Sequence, residues 1–284
     1  MDINLKGKVA VVTGGRQGIG HGITQAFLEA GASVLTCARD GAGLDVEIGK
    51  WRATHGERVA GIAADVGRAE DIERLMAEAT ARFGGVDVLV NNAATSQAGT
   101  LASLSDDQWH TEFDVKLLAM IRTARAAVPL MLARGGGSIV NINAIFARQP
   151  DMTFYASSVV RAGCLSFTKL LAKEYAAQGI RANAIGLGLV ETPAWQAWHD
   201  PAQGSYADFL TSTAAYYRVP MAGAGSGQRG AVPRLGRCQL RDRYAAGRRW
   251  RHGGVYVTRT RRGRIPLMKF PAHLVAAHAR DRVR

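Results

Sequence analysis

Eight residues, TGGRQGIG (13–20), limit the folds open to this chain more than any other stretch. They follow the short apolar run KVAVVTG (8–14) and open the amphipathic stretch GIGHGITQAFLEAG (18–31), which ends at Gly31. Glycines between a strand and a helix let the backbone turn where other residues cannot. They also leave the helix's first N–H groups and positive dipole end open to phosphate. Gly14 suits the tight turn, Gly18 the close approach of a pyrophosphate, and Gly20 close packing of helix on strand. Arg16, Gln17 and Ile19 fill the places between. The strand–turn–helix context makes this a dinucleotide site rather than a bare structural turn.

The rest of the first 190 residues keeps the alternation. ASVLTCAR (32–39), ERVAGIAADV (57–66), VDVLVNNAA (86–94), GSIVNINA (137–144) and IRANAIGLG (180–188) read as strands. Helical stretches fall at about 41–54, 69–84, 106–136 as one long helix, and 157–179. With KVAVVTG this makes six strands, each followed by a helix or crossover. The pattern predicts an α/β fold: a Rossmann-type, doubly wound parallel sheet in three layers, built as a single domain. Apolar runs such as VAVV suit strands covered on both faces. The domain spans 1–220, and its aromatic, turn-broken segment at about 191–220 reads as a flap over a site. Residues 221–284 lose all period and read as an irregular basic tail, poorly ordered or out of frame.

The net charge of +13 would point to nucleic acid if it were spread over the domain. Residues 221–284 hold 15 Arg, one Lys and two acids, a net of +14, so residues 1–220 carry −1. A nucleic-acid partner is therefore not expected of the domain, although a basic arm on nucleic acid is the rival reading of the tail. No apolar run reaches the roughly 18 residues of a membrane helix, and no membrane partner is expected. The opening MDINLKGKVAVVTGG lacks the layout of a secretory signal. Cys37, Cys164 and Cys238 are scattered, without CxxC or Cys/His clustering. That argues for a cytoplasmic location and against a metal site.

The spacing TGxxxGxG, Asp65-Val66, NNAA at 91–94 and ETP at 191–193 together resemble the short-chain dehydrogenase/reductase family, from about Lys8 to Thr192. The text of 161–192 is similar to its beta-ketoacyl-ACP reductase branch. The resemblance implies an NAD(P)-dependent oxidoreductase acting on a small carbonyl compound or secondary alcohol. It assigns Asp65 and Val66 to the adenine, and Asn92, Ala93 and Ala94 to the nicotinamide side. The second strand ends Ala38-Arg39, without the acid that would bind a ribose diol. Arg39 and Arg16 could instead face a 2′-phosphate, so NADP is favoured, with NAD as the alternative; Gln17 is not basic and weighs against NADP.

The family's chemistry uses Asn, Ser, Tyr and Lys, the lysine lowering the pKa of a phenol that is ordinarily about 10. FYASSVVRAG (154–163) contains a tyrosine near a basic residue, but the residue four after Tyr155 is Val159. One ungapped register puts Arg161 in the lysine's place, Ser157 in the tyrosine's, Ala144 in the serine's and Lys116 in the asparagine's. Leu187 replaces the proline of the family's PG motif. An aliphatic hydroxyl is a far weaker acid than a phenol. Arg161 can still bind ribose oxygens, though its fork does not substitute freely for an ammonium. Asn143, beside Ala144, has an amide that could polarise a carbonyl. Lys116 would become a proton donor or base if it points inward, where burial and Arg161 lower its pKa; otherwise it lies on the helix surface. Tyr155, expected in the loop entering the helix, either reaches inward or packs under the flap. Trp195, Trp198 and His199 in the flap are substrate contacts or simple apolar cover.

The family ends in a helix and a strand carrying YVTG…VDGG, which this chain lacks. Yet Gln228 to Arg251 can be written in codons that, read one base on, encode SAARFLGSAAASYVTGTLLDVDGG. A frame change near residues 221–228, natural or introduced in sequencing, is the expectation; a genuine tail would put a family-type homo-oligomer in doubt. Two functions remain open: an oxidoreductase with an altered proton relay, and a catalytically silent nucleotide-binding homologue acting as a binding or sensor protein.

Overall fold

The computed structural model describes residues 3–95, 97–188, 190, 192–196 and 199–210. The basic tail, the frame-change position, Trp198 and the last third of the segment 191–220 lie outside the described residues.

Six strands form one sheet: β1 (Val9–Thr13), β2 (Ser33–Ala38), β3 (Val59–Ala63), β4 (Val88–Asn91), β5 (Gly137–Ala144) and β6 (Ile180–Leu187). Their order is β3-β2-β1-β4-β5-β6, and every pairing is parallel. This is the doubly wound sheet expected from the alternation. Successive side chains of a strand point to opposite faces, and β1 shows the consequence. Val11 joins a core with Leu75, Met76, Ala127, Met131 and Leu171. Ala10 and Val12 join one with Ile23, Phe27, Leu44, Ile48 and Trp51 on the other face. Helices α1 (Gly18–Glu29) and α2 (Gly41–His55) therefore cover one side, and α3 (Ala69–Phe83), α5 (Ala119–Ala133) and α6 (Tyr155–Tyr175) the other.

Two helical regions differ from expectation, both at the site. The stretch 106–136 is not one continuous helix. It begins as α4 (Asp106–Glu112), opened by a Ser105/Gln108 capping box. It then widens into a π-helical turn, Phe113–Leu118, before resuming as α5. Such turns insert a residue into the helical ladder and recur at functional sites. Here the wide turn puts Glu112 and Lys116 on the inward face, in line with buried Met120 and Thr123. Helix α6 starts at Tyr155, so this tyrosine is helical rather than in the entering loop.

A buried polar ladder sets the distance between these two helices. Thr123 Oγ1 of α5 donates to Asn91 Oδ1 at 2.7 Å, and Asn91 Nδ2 donates to Asn141 Oδ1 at 2.8 Å. Asn141 Nδ2 then donates to Thr168 Oγ1 of α6 at 2.8 Å. Each rung satisfies a group that would cost about 1–3 kcal/mol if buried unpaired. The ladder crosses β4 and β5 and holds α5 and α6 in register beneath the site.

Candidate active site

The strand order reverses between β1 and β4, which opens a crevice at the carboxyl ends of the strands, the usual ligand position in such sheets. The glycine turn after β1 lines it. Gly14 and Gly18 have φ of 71° and 60°, the left-handed region that suits glycine. A Cβ on Gly20 would stand 2.1 Å from the Gly14 carbonyl oxygen and 2.4 Å from Asn92 Nδ2. The close packing at Gly20 is thus against the turn and β4 rather than against the strand behind. Gly15 plays that second part: a Cβ there would sit 1.9 Å from Thr36 Oγ1 of β2. Sequence reasoning missed Gly15, because the fingerprint's spacing singles out its neighbours.

Helix α1 begins after Gln17, whose side chain makes no cap, and has no acid in its first turn. Its leading N–H groups and positive dipole end therefore carry no anionic side chain of their own, which fits a diphosphate. Gly18, without a side chain, faces Thr192 across the crevice, a Cβ there lying 3.3 Å from the Thr192 methyl. Ile19 packs at the edge of the core. Thr13 Oγ1 accepts from the Asn92 and Ala93 N–H groups at 3.0 Å each. Asn92 Nδ2 donates to the Thr13 and Gly14 carbonyls at 2.9 and 3.1 Å. Asn92 thus clasps the turn to the end of β4; Ala93 is half-buried beside it and Ala94 is exposed.

At the other end, Arg39 is exposed just beyond β2. Arg16 donates to Gln17 Oε1 at 2.8 Å and lies 3.5 Å from Asp40, the N-cap of α2. Arg16 and Gln17 thus lie beside the start of α2, just beyond the end of β2. Asp65 Oδ1 accepts from Gly67 N at 2.9 Å, closing a small turn after β3, and Val66 is buried beside it.

Two of the candidate relay residues, Lys116 and Ser157, meet inside the protein. Lys116 is 1% exposed and Ser157 1%, and Lys116 Nζ donates to Ser157 Oγ at 2.8 Å. The other partner of Lys116 is Glu112, fully buried one helical turn earlier. Lys116 is therefore not a surface lysine. Burial, reinforced by the Arg161 guanidinium, pulls its pKa down to about 8, against the pull of Glu112 in the other direction. Arg161, half-buried, donates to the Ile142 carbonyl of β5 at 3.3 Å, and burial lowers its pKa too. Burial pushes the neighbouring Cys164 up to about 11, so it stays a thiol. A cavity of ≈ 10 Å³, about the size of one water, is lined by Lys116 together with Thr13, Asn91 and Ala93. Glu112 was invisible to sequence reasoning; its only signal, an i,i+4 spacing to Lys116, is commonplace on solvated helix faces.

Other candidates are placed differently. Asn143 is buried; its Nδ2 donates to the Arg161 carbonyl at 3.0 Å and its Oδ1 accepts from Ala144 N at 2.9 Å. The amide expected to polarise a substrate carbonyl is a strap between β5 and α6. Tyr155 is half-buried, its ring edge-on to Trp109 with centroids 6.3 Å apart, which is a packing contact. His199 bonds within the flap, its Nε2 2.9 Å from the Gly204 carbonyl and its ring edge-on to Tyr206. Trp195 falls in the short helical turn Pro193–Gln196. Among the described residues no group of three or more His, Cys, Asp or Glu could hold a metal. None of their helices is long and apolar enough to cross a membrane.

A doubly wound sheet, a glycine turn at its switch point and an uncapped helix end define a dinucleotide-binding α/β protein. The family model described as short chain dehydrogenase matches residues 8–203. The rabbit (Oryctolagus cuniculus) Dehydrogenase/reductase SDR family member 4 is 38% identical over 201 residues, covering 70% of this chain and 77% of the relative. The 3-oxoacyl-[acyl-carrier-protein] reductase of Vibrio cholerae is 31% identical over 198 residues, covering 70% and 80%. L-sorbose reductase from Gluconobacter frateurii, solved with NADPH and L-sorbose, matches with a TM-score of 0.74 at 34% identity, covering 78% of this chain and 87% of that one. An NADPH-bound short chain oxidoreductase from Pseudomonas aeruginosa PAO1 containing an atypical catalytic center matches at 0.71 and 32%, covering 77% and 86%. The chain belongs to the short-chain dehydrogenase/reductase family.

Proposed function

We propose that this protein is an NAD(P)-dependent oxidoreductase, with NADP preferred, acting on a small carbonyl compound or secondary alcohol through a lysine–serine proton relay. The observation that carries the reading is the 2.8 Å hydrogen bond from Lys116 to Ser157, at the two positions where the family's asparagine and tyrosine stand. A bound nicotinamide cofactor would supply or accept the hydride. The turn 14–20 would hold its diphosphate, Asp65 and Val66 its adenine end, and Arg161 its ribose. The chain's own residues then have one task, to move a proton at the substrate oxygen. Ser157 alone is too weak an acid to do so near neutrality. Lys116 changes that, because a group with a pKa of about 8 is present in both forms near physiological pH. As an ammonium it replaces the proton that Ser157 gives up; as an amine it takes the proton that Ser157 receives.

Two of the similar structures were solved with NADPH, and the Pseudomonas protein is described as having an atypical catalytic center. These support NADP and a departure from the usual tetrad in this chain. The test is a fluorescence titration with NADPH and NADH, followed by a panel of ketones, ketoses, β-keto esters and secondary alcohols. Turnover of at least one class is expected. Tight NADPH binding with no turnover on any would sink the oxidoreductase and leave the silent nucleotide-binding homologue. One observation favours that second function: Lys116 and Ser157 are each only 1% exposed. Cofactor choice has its own check. Arg39→Asp should weaken NADPH binding by about tenfold or more, the worth of one charge-assisted hydrogen bond, while NADH binding holds or improves. Equal effects on both cofactors would remove Arg39 from the choice.

A further inference from the structure

Neither the motif nor the register points to Glu112, the buried partner of Lys116. We propose that Glu112 is a positioning residue for Lys116: it holds the ammonium over Ser157 and ties it to the loop that follows β4. The inference rests on the lysine–serine relay and adds to it the group that governs it.

Glu112 is the last residue of α4 and 0% exposed. A carboxylate so buried is costly unless both oxygens find partners, and here they do. Oε2 accepts from Lys116 Nζ. Oε1 accepts from the backbone N–H of Gln97 at 3.2 Å, in the loop that leads on from Asn92–Ala94. One side chain thus spans the relay lysine and the loop beside the crevice. Lys116 lies within the π-helical turn 113–118, which begins directly after Glu112, and both side chains are buried. The remaining ionisable groups facing Lys116 are Arg161 and Cys164, both on α6. Arg161 repels the ammonium, and Cys164 stays a thiol. Glu112 is therefore the one anion that favours the charged lysine among the described residues. It opposes burial and Arg161, and the balance leaves Lys116 titrating at about 8.

A purely structural Glu112 would serve stability alone. The two roles separate in the titration of Lys116, followed by NMR of [13Cε]lysine-labelled full-length protein, with Lys116→Met assigning the signal. In Glu112→Gln the amide keeps the bond to Gln97 N but loses the charge. The Lys116 midpoint should fall by about one unit or more, the effect of removing a close opposite charge. With the best carbonyl compound of the panel, the high-pH limb of kcat should move down with it. For a one-unit fall, reduction at pH 8 then slows by about fivefold, as the ammonium fraction drops from about one half to about one eleventh, with KM for NADPH unchanged. An unchanged Lys116 midpoint overturns the proposal. Should Glu112→Gln not fold, Glu112→Asp keeps the charge but is one methylene short of spanning Lys116 and Gln97. A smaller downward shift is expected, and none overturns the proposal.

The failures of the two ideas look different. A Lys116 midpoint that moves while the activity profile stays fixed, or while no carbonyl compound turns over, upholds Glu112 and sinks the relay. An activity profile that follows Lys116 but ignores Glu112 does the reverse.

Discussion

Replacing Lys116 with Met is expected to slow carbonyl reduction by about 10²–10⁴-fold, the range typical of a lost general acid–base group, with NADPH affinity unchanged. In the unaltered protein the sign of the pH dependence follows from the relay. Reduction needs the ammonium, so it is sustained below the Lys116 pKa of about 8 and falls as pH rises through it. Alcohol oxidation needs the amine and rises over the same window. Steady-state rates in both directions between pH 6 and 10 read this directly; a variant as active as the original would remove Lys116 from the chemistry. One complication is physical. Lys116→Met leaves the Glu112 carboxylate buried without its cation, and breaking such a pair costs about 3–5 kcal/mol. The double replacement Glu112→Leu/Lys116→Met removes both charges, and swapping a buried pair for apolar groups is often neutral or stabilising. It should therefore recover the melting temperature lost in the single variant while staying inactive. A double variant that regains activity along with stability would show that the pair matters only to the fold.

Gly20→Ala is the second large effect. The added methyl would meet the Gly14 carbonyl at 2.1 Å and Asn92 Nδ2 at 2.4 Å, and the first of these is backbone. The turn must shift to make room, at a cost of about 1–3 kcal/mol for overpacking. Moving the turn also moves the N–H groups that would cradle the diphosphate, so NADPH affinity should fall at least about tenfold. Gly22→Ala, two residues on, is the matched control. Nothing lies within 4 Å of its Cβ, and exchanging a mid-helix glycine for alanine stabilises by roughly 0.5–1 kcal/mol. Thermal melts and cofactor titrations of the two variants should diverge in sign. Similar melts would mean that the turn gives way more easily than its contacts indicate.

The fold was legible because its signals are local. Apolar runs such as VAVV, punctuated by glycines and separated by amphipathic stretches, leave a parallel sheet as the arrangement that covers both faces of every strand. The glycine turn was equally plain, since a left-handed φ is written directly into residue type at Gly14 and Gly18. The long helix 106–136 was read as unbroken because FDVKLL (113–118) contains no Gly or Pro to mark the π-helical turn.

The site divides along the same line. Counting along the chain was enough to single out Lys116, Ser157 and Arg161 as candidates, because the register of a helix and a strand is a matter of spacing. Which way each side chain faces was not a matter of spacing. Asn143, one residue from Ala144, was a plausible donor to a carbonyl until β5 turned its amide onto α6. Tyr155, out of register with Arg161 and open to either reaching inward or packing, has its ring against Trp109. By itself, then, the sequence determined a doubly wound dinucleotide fold, because strand, helix and turn are specified by neighbours in the chain. Only the tertiary structure decided that Lys116, Ser157 and Glu112 form one buried cluster. Their contact runs between α4, the π-helical turn and α6, and 41 positions separate Lys116 from Ser157. The charge state of a lysine there depends on what surrounds it in space rather than on what precedes it in the chain.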